Sequence, residues 1–107
     1  MNRILIAAKM RPGAERDVAR IWAESDATSL PHDVGVRERS LYSLHDLYIQ
    51  VIDFDRDPAV AMADAVQHRG FHEISEQLRL YIAPYSPTWR GPRDAQADRF
   101  YHWRPER

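Results

Sequence analysis

The sequence predicts one domain of the α+β class, in which a four-stranded antiparallel sheet carries helices on one face. Three observations support this fold. Short runs alternate in side-chain character as strands do, two regions repeat apolar residues with helical spacing, and a tight connection, Ser43-Leu44, joins the two central strands. The chain has 107 residues, which is enough for a single core but leaves little room for a second.

The first strand and the first helix occupy the N-terminal quarter. Ile4, Ile6 and Ala8 alternate with their neighbours up to Met10, and an Arg-Pro-Gly turn follows. Apolar residues then recur at the spacing i, i+4, i+7 and i+8, namely Ala14, Val18, Ile21 and Trp22. This stripe predicts a helix of about four turns that ends near Asp26, before a turn through Leu30-Pro31-His32-Asp33.

The central hairpin is predicted from residues 34–42 and 45–54. In the first of these strands, alternation assigns Val36, Glu38, Ser40 and Tyr42 to one face and Arg37, Arg39 and Leu41 to the other. In the second strand, Leu47, Ile49 and Val51 share a face opposite to Asp46, Tyr48, Gln50 and Ile52. The short link between the two strands makes the pair antiparallel.

The second helical region starts at Asp57-Pro58, an N-cap followed by a proline at the first helical position. Gly70 is expected to kink or interrupt it, and a second piece continues from Phe71 to Ile82. A proline-rich loop then leads to a fourth strand at 99–103 and a tail at 104–107.

The order β-α-β-β-α-β is that of the ferredoxin-like fold. The sheet face without helices still carries apolar residues, and a second copy of the sheet would cover it. We therefore expect a homodimer, of the dimeric α+β barrel type.

Composition excludes several classes of function. Fifteen basic and sixteen acidic residues give a net charge of −1 without a one-signed block, which argues against a nucleic-acid-binding protein. The chain has no cysteine, so disulfides and zinc–thiolate sites are excluded. No stretch approaches the ~20 apolar residues of a membrane span, and we expect a soluble, cytoplasmic protein with no membrane partner.

Several short motifs occur in a recognisable order. They are Glu24-Ser25-Asp26, Leu30-Pro31, Val34-Gly35-Val36-Arg37-Glu38-Arg39, His45-Asp46-Leu47-Tyr48, Phe71 after His-Arg-Gly, Pro84-Tyr85-Ser86-Pro87-Thr88-Trp89 and Phe100-Tyr101-His102-Trp103. In this order the chain resembles the tetracenomycin-type aromatic polyketide cyclase family over nearly its whole length. The resemblance implies a homodimer that closes a ring on an aromatic polyketide intermediate without a cofactor. It also implies a substrate that is either free or carried on the acyl carrier protein of a type II polyketide synthase.

Arg39 and Asp26 are the candidate catalytic residues. If the Arg39 face of its strand looks toward the helices, its guanidinium is a cation in a half-buried pocket, suited to polarising a ketone oxygen or binding an enolate. Asp26 lies at a helix C-terminus, where the helix dipole disfavours a negative charge, so a partner such as Arg39 would compensate it. The alternatives are a structural ion pair and a solvated carboxylate.

Substrate-binding roles are predicted for Ser25, Gln50, Tyr48, Arg37 and Trp22. The family pattern can carry histidine at the positions of Ser25 and Gln50, and neither residue titrates near neutral pH, so a histidine mechanism cannot be transferred and the general base stays open. Tyr48 is expected either to line the cavity or to pack in the core. Arg37 lies at the cavity mouth or at the dimer interface. No metal site is predicted, because Gly70 disrupts the only helical spacing of ligands, His68 and His72.

The predicted function is therefore a polyketide cyclase and aromatase that catalyses aldol-type ring closure with dehydration. Two alternatives stay open: a cofactor-free monooxygenase of anthrone-type substrates on the same fold, and a non-catalytic polyketide-binding chaperone that steers spontaneous cyclisation. The sequence leaves undetermined which polyketide is bound, which ring is closed and whether water is lost on the enzyme.

Overall fold

The computed structural model describes residues 2–106, apart from the side chain of Pro92. Four strands, four α-helices and one 3₁₀ helix follow one another in the described chain. They are β1 (Arg3–Met10), α1 (Glu15–Asp26), α2 (Leu30–Val34), β2 (Val36–Leu44), β3 (Leu47–Phe54), α3 (Pro58–Ala65), α4 (Arg69–Leu78), β4 (Ile82–Ala83) and the 3₁₀ helix Pro92–Ala95.

The four strands form one antiparallel sheet in the order β2-β3-β1-β4. β1 pairs with β3 from Arg3 opposite Asp53 to Lys9 opposite Leu47. The connection between β2 and β3 is two residues long, and within it His45 adopts a positive φ of 55°. The predicted ferredoxin-like α+β fold is confirmed.

A bulge in β2 changes which residues share a face. Val36 pairs with Phe54 and Glu38 with Asp53, so Arg37 is an extra residue on this strand. After the bulge, Arg39 pairs with Ile52, which is buried beneath the helices. Because of the extra residue, Val36 lies on the same face as Arg39, and the strict alternation predicted from the sequence is wrong at Val36.

The fourth strand lies elsewhere than predicted. β4 is the two-residue segment Ile82–Ala83, which had been assigned to the end of a helix, and Gln96 adds an isolated bridge to Ile6. Residues 99–103 form no strand. The physical reason is that helix α4 ends at Leu78, so the chain returns to the β1 edge well before the aromatic segment begins.

The helices bury one face of the sheet. Every second residue of β3 (Tyr48, Gln50, Ile52 and Phe54) is buried on this side. Val18 of α1 and Ala61 of α3 pack into the two core clusters above it. The predicted interruption is present, because α3 and α4 are separate helices, but it lies at residues 66–68, and Gly70 is the second residue of α4 rather than the break.

The predicted turn at Leu30-Pro31-His32-Asp33 is instead the short helix α2. Gly35 ends it in the left-handed conformation, with φ of 82°, and its backbone N–H donates to the carbonyl oxygens of His32 and Pro31. The left-handed conformation favours glycine at this helix end, and a side chain there would also have to displace the carboxylate of Asp55.

The opposite face of the sheet is open. Its apolar side chains include the exposed Leu5, Tyr42 and Leu44. The C-terminal aromatic residues are also exposed, Phe100 at 99% and Trp103 at 69% of their surface. In the part of the chain that the structure describes, no helix is long and apolar enough to cross a membrane.

Candidate active site

A cavity of about 440 Å³ lies between the sheet and the helices, a volume typical of sites for small molecules. Its walls are mostly apolar and aromatic. The residues that line it come from the helices, from the sheet face beneath them and from the segment after β4. They include Ile6, Ala8, Trp22, Leu30, Val34, Val36, Arg39, Tyr48, Gln50, Ile52, Phe54, Met62, Phe71, Ile74, Leu78 and Trp89. The cavity can therefore enclose a flat apolar molecule and offers it few polar contacts.

Arg39 and Asp26 form an ion pair at the polar end of this cavity. The Arg39 Nε lies 3.2 and 3.0 Å from the two carboxylate oxygens of Asp26, and Nη2 lies 3.0 Å from Oδ1. The Arg39 side chain is only 11% exposed, whereas that of Asp26 is 35% exposed. The carboxylate thus binds two nitrogens of a largely buried guanidinium and fixes the plane of that group. This is the geometry in which arginine binds a carboxylate most specifically.

Gln50 and Tyr48 extend this pair into a chain of hydrogen bonds. Arg39 Nη1 donates to Gln50 Oε1 at 2.6 Å, and Gln50 Nε2 donates to Tyr48 Oη at 3.1 Å. Trp22 Nε1 also donates to Tyr48 Oη, at 3.1 Å. The indole ring of Trp22 lies against the guanidinium, 4.0 Å from its centroid to Arg39 Cζ, in a cation–π contact.

Burial changes the acidity of Tyr48. Its side chain is enclosed by the core, and this desolvation raises the pKa of its phenol from 10.0 to about 12, although the Trp22 hydrogen bond and the Arg39 charge oppose the shift. Tyr48 is therefore a neutral phenol throughout the physiological range of pH.

The structure brings together five of the seven residues predicted for the site. Trp22, Arg39, Tyr48 and Gln50 line the cavity, and Asp26 contacts it through Arg39. Ser25 and Arg37 are not among the lining residues.

Ser25 lies in the last turn of α1, where its carbonyl oxygen accepts hydrogen bonds from Thr28. Arg37 is the exposed bulge residue. The Arg3 hydrogen bond holds the pKa of Asp53 below its ordinary value, and the charge of Arg37 adds to that effect.

Sequence reasoning did not predict the apolar lining contributed by α2 and α4. Leu30 and Val34 were assigned to a turn and a strand start, whereas they are helical and face the cavity. Phe71, Ile74 and Leu78 had the right helical spacing, and that stripe was the available signal. Nowhere in residues 2–106 do three or more His, Cys, Asp or Glu side chains converge as metal ligands would.

Comparison with known proteins identifies the family. The family model described as polyketide synthesis cyclase matches residues 2–104. The chain belongs to the polyketide synthesis cyclase family.

Relatives of known name agree with this. The chain is 40% identical to polyketide synthase CurG of Streptomyces cyaneus, over 96% of this chain and 97% of that one. It is 38% identical to tetracenomycin F2 cyclase of Streptomyces glaucescens, over 94% of this chain and 93% of the other. An uncharacterised protein of Streptomyces coelicolor is 47% identical over 96% and 95% of the two chains.

The solved structures agree as well. That of tetracenomycin F2 cyclase, described as a type-II polyketide cyclase, superimposes with a TM-score of 0.89 at 36% identity and covers 98% of this chain and 99% of that one. A putative antibiotic biosynthesis monooxygenase from Chloroflexus aurantiacus shares the fold, with a TM-score of 0.56 at 18% identity over 77% and 81% of the two chains. The family model, CurG and tetracenomycin F2 cyclase support polyketide cyclisation as the general activity, whereas the monooxygenase shows only a shared fold.

Proposed function

We propose that this protein is a cofactor-independent polyketide cyclase and aromatase that closes a ring on an aromatic polyketide intermediate by an aldol reaction and loss of water. The observation that carries the proposal is the orientation of Arg39. Asp26 holds this cation at one end of a cavity of about 440 Å³ whose walls are otherwise largely apolar.

The reaction needs orientation more than it needs a reactive group. An activated C–H gives its proton to a base, the enolate carbon attacks a carbonyl of the same molecule, and the alkoxide that forms takes up a proton. The new hydroxyl group then leaves as water as the adjacent carbon loses a second proton. No atom is oxidised or reduced overall. A cavity wall that folds the substrate so that the two carbons meet can supply several kcal/mol of barrier reduction, because the chain no longer has to find the reactive conformation by free rotation.

Arg39 is the group that supports the negative oxygen of this reaction. Of its five N–H groups, the Nε hydrogen and one on Nη2 bind Asp26, and one on Nη1 binds Gln50. One hydrogen on each Nη nitrogen is left for a ligand. In a largely apolar cavity a fixed cation stabilises an enolate or alkoxide more strongly than it would in water.

Asp26 is the positioning residue for Arg39, and direct proton abstraction by its carboxylate is the secondary role. Trp22, Tyr48 and Gln50 bind the substrate beside Arg39, and Trp22 offers an indole face to a flat ring. The substrate-binding role of Ser25 stays a hypothesis, as does that of Arg37 at the cavity mouth or at the dimer interface.

A homodimer and an acyl carrier protein complete the proposal. Apolar side chains are exposed on the outer face of the sheet and at Phe100, Tyr101 and Trp103, and a second copy of the chain would cover them. The substrate reaches the cavity free or on the carrier protein.

The experiment is to incubate the purified protein with a set of synthetic poly-β-ketones, with and without oxygen, and to identify the products by NMR. The expected result is one enzyme-dependent ring pattern at equal rates in air and under nitrogen. Turnover that stops without oxygen would overturn the proposal in favour of a monooxygenase. Products that match the uncatalysed mixture in rate would leave only a binding role.

A further inference from the structure

Tyr48 has a role in the cavity that follows from the direction of its hydrogen bonds. Arginine has no acceptor, so the Gln50 atom that faces Arg39 Nη1 must be the amide oxygen. This fixes the orientation of the Gln50 amide and turns its NH₂ group toward Tyr48 Oη. Gln50 is therefore a donor to Tyr48.

Trp22 leads to the same conclusion from the other side. The indole nitrogen can only donate, so Tyr48 Oη accepts from Trp22 as well as from Gln50. The oxygen thus uses its accepting capacity on two protein groups. Its own hydrogen remains, because Tyr48 Oη is the acceptor in both of the side-chain hydrogen bonds that it makes within the described residues 2–106.

From this arrangement we infer that Tyr48 is a catalytic hydrogen-bond donor, whose phenolic O–H binds a carbonyl or enolate oxygen of the substrate and is aimed at it by Trp22 and Gln50. The inference rests on the proposed function. The raised pKa of Tyr48 agrees with it, because a phenol that stays neutral can donate at any physiological pH.

The polar groups at this end of the cavity offer a ligand mainly hydrogen-bond donors. The Asp26 carboxylate and the Gln50 oxygen both already accept from Arg39. The hydrogens left for a ligand at this end are two on Arg39, one on the Gln50 amide nitrogen and the phenolic hydrogen of Tyr48. The site therefore selects molecules that present acceptor oxygens, such as ketones, enolates and phenolates, over those that present hydroxyl donors.

The test compares two flat tricyclic probes of similar shape, 9,10-anthraquinone, which has carbonyl acceptors, and anthracene, which has none. Their affinities are measured by calorimetry for the wild-type protein, for Tyr48→Phe and for the control Tyr85→Phe, whose ring is exposed and outside the cavity lining. Tyr48→Phe should weaken anthraquinone binding about 3- to 10-fold and leave anthracene binding unchanged. Tyr85→Phe should change neither.

Two results would overturn the inference: an unchanged anthraquinone affinity, or an equal loss for both probes, since the latter indicates packing rather than hydrogen bonding. A second measurement does not depend on the folding of Tyr48→Phe. Replacing Tyr48 with 3-fluorotyrosine makes the phenol a stronger donor, so the carbonyl stretching band of bound anthraquinone should move to lower frequency. An unmoved band contradicts the assignment.

These readouts separate the inference from the proposed function. If no poly-β-ketone is cyclised, the proposed function fails, whereas the anthraquinone comparison still reports whether Tyr48 donates. If cyclisation is observed, Tyr48→Phe should lower kcat about 10²-fold while KM changes less than 10-fold.

Discussion

Arg39 on β2 and Asp26 at the end of α1 are joined by three contacts of 3.0–3.2 Å, although they lie on different layers of the fold. The contact exists because the bulge at Arg37 places Arg39 on the helix side of the sheet. The same contact places the positive charge of Arg39 at the C-terminal end of α1, where the helix dipole favours a cation and disfavours the carboxylate of Asp26. One ion pair thus orients the cavity cation and links the sheet to the helical layer.

Replacing Arg39 tests the electrostatic part of the proposed mechanism. Arg39→Ala should lower the turnover number for ring closure by about 10- to 10³-fold, because the oxyanion loses its fixed cation. Arg39→Lys keeps the charge but not the two-nitrogen contact with Asp26, so it should retain intermediate activity. Single-turnover kinetics with saturating substrate measures both. A chaperone would instead show weaker binding and an unchanged rate of product formation from the bound substrate.

Removal of the Asp26 charge should cost stability as well as activity. In Asp26→Asn the buried guanidinium keeps its shape but loses its counter-charge, and we expect the free energy of unfolding in urea to fall by about 1–3 kcal/mol. Asp17→Asn is the matched control, since Asp17 is paired with Arg20 at 3.5 Å on the surface. That variant should change stability by less than about 0.5 kcal/mol. Equal effects of the two variants would contradict a structural role for the Asp26 pair.

The burial of the Tyr48 phenol predicts that the folded protein loses stability at alkaline pH. Its folded-state pKa of about 12 lies above the ordinary 10.0, so its contribution is fully present below pH 10 and is lost as the pH rises toward 12. The free energy of unfolding should fall on the order of 1 kcal/mol more between pH 9 and 11 for the wild type than for Tyr48→Phe. Urea titrations at each pH provide the comparison, with Tyr85→Phe expected to follow the wild type. Parallel profiles for the wild type and Tyr48→Phe would show that the phenol is not desolvated.

Alanine substitutions at Gly35 and Gly13 distinguish the cost of backbone strain from that of steric overlap. Both have positive φ, 82° and 79°, but a side chain at Gly35 would overlap Asp55, whereas one at Gly13 would meet nothing within 4 Å. Gly13→Ala should cost about 1 kcal/mol for the left-handed conformation alone. Gly35→Ala should cost somewhat more, about 2 kcal/mol, because the exposed side chains of Asp55 and Arg56 must also move aside. Thermal unfolding of the two variants measures the difference, and equal losses would exclude the overlap.

The exposed apolar side chains on the outer face of the sheet predict a homodimer. Leu5 and Val60 are both partly exposed aliphatic residues, Leu5 on the outer face of the sheet and Val60 on helix α3. Sedimentation equilibrium should show a dimer for the wild type and for Val60→Lys. Leu5→Lys should shift the equilibrium toward monomer, because a buried unpaired charge is costly. A wild type that sediments as a monomer at high concentration would contradict the predicted homodimer.

Local pattern in the sequence determined the type of most elements and the fold that they form. The stripe that includes Val18 and Ile21 identifies α1, and the alternation from Tyr48 to Ile52 identifies the buried face of β3. These patterns can be read locally, because burial repeats with the period of the helix or strand itself. Trp22, Asp26, Arg39, Tyr48 and Gln50 were likewise identifiable as candidates from their chemistry and from the family resemblance.

Tertiary structure alone decided how these residues meet. The bulge at Arg37 depends on pairing with β3, and the position of β4 depends on where α4 packs, so neither is encoded in a local period. The same holds for the hydrogen-bond directions at Tyr48, which follow from the contact of three separate elements in one cavity. A sequence pattern specifies which face a side chain occupies, whereas only the packed fold specifies its partner across that face.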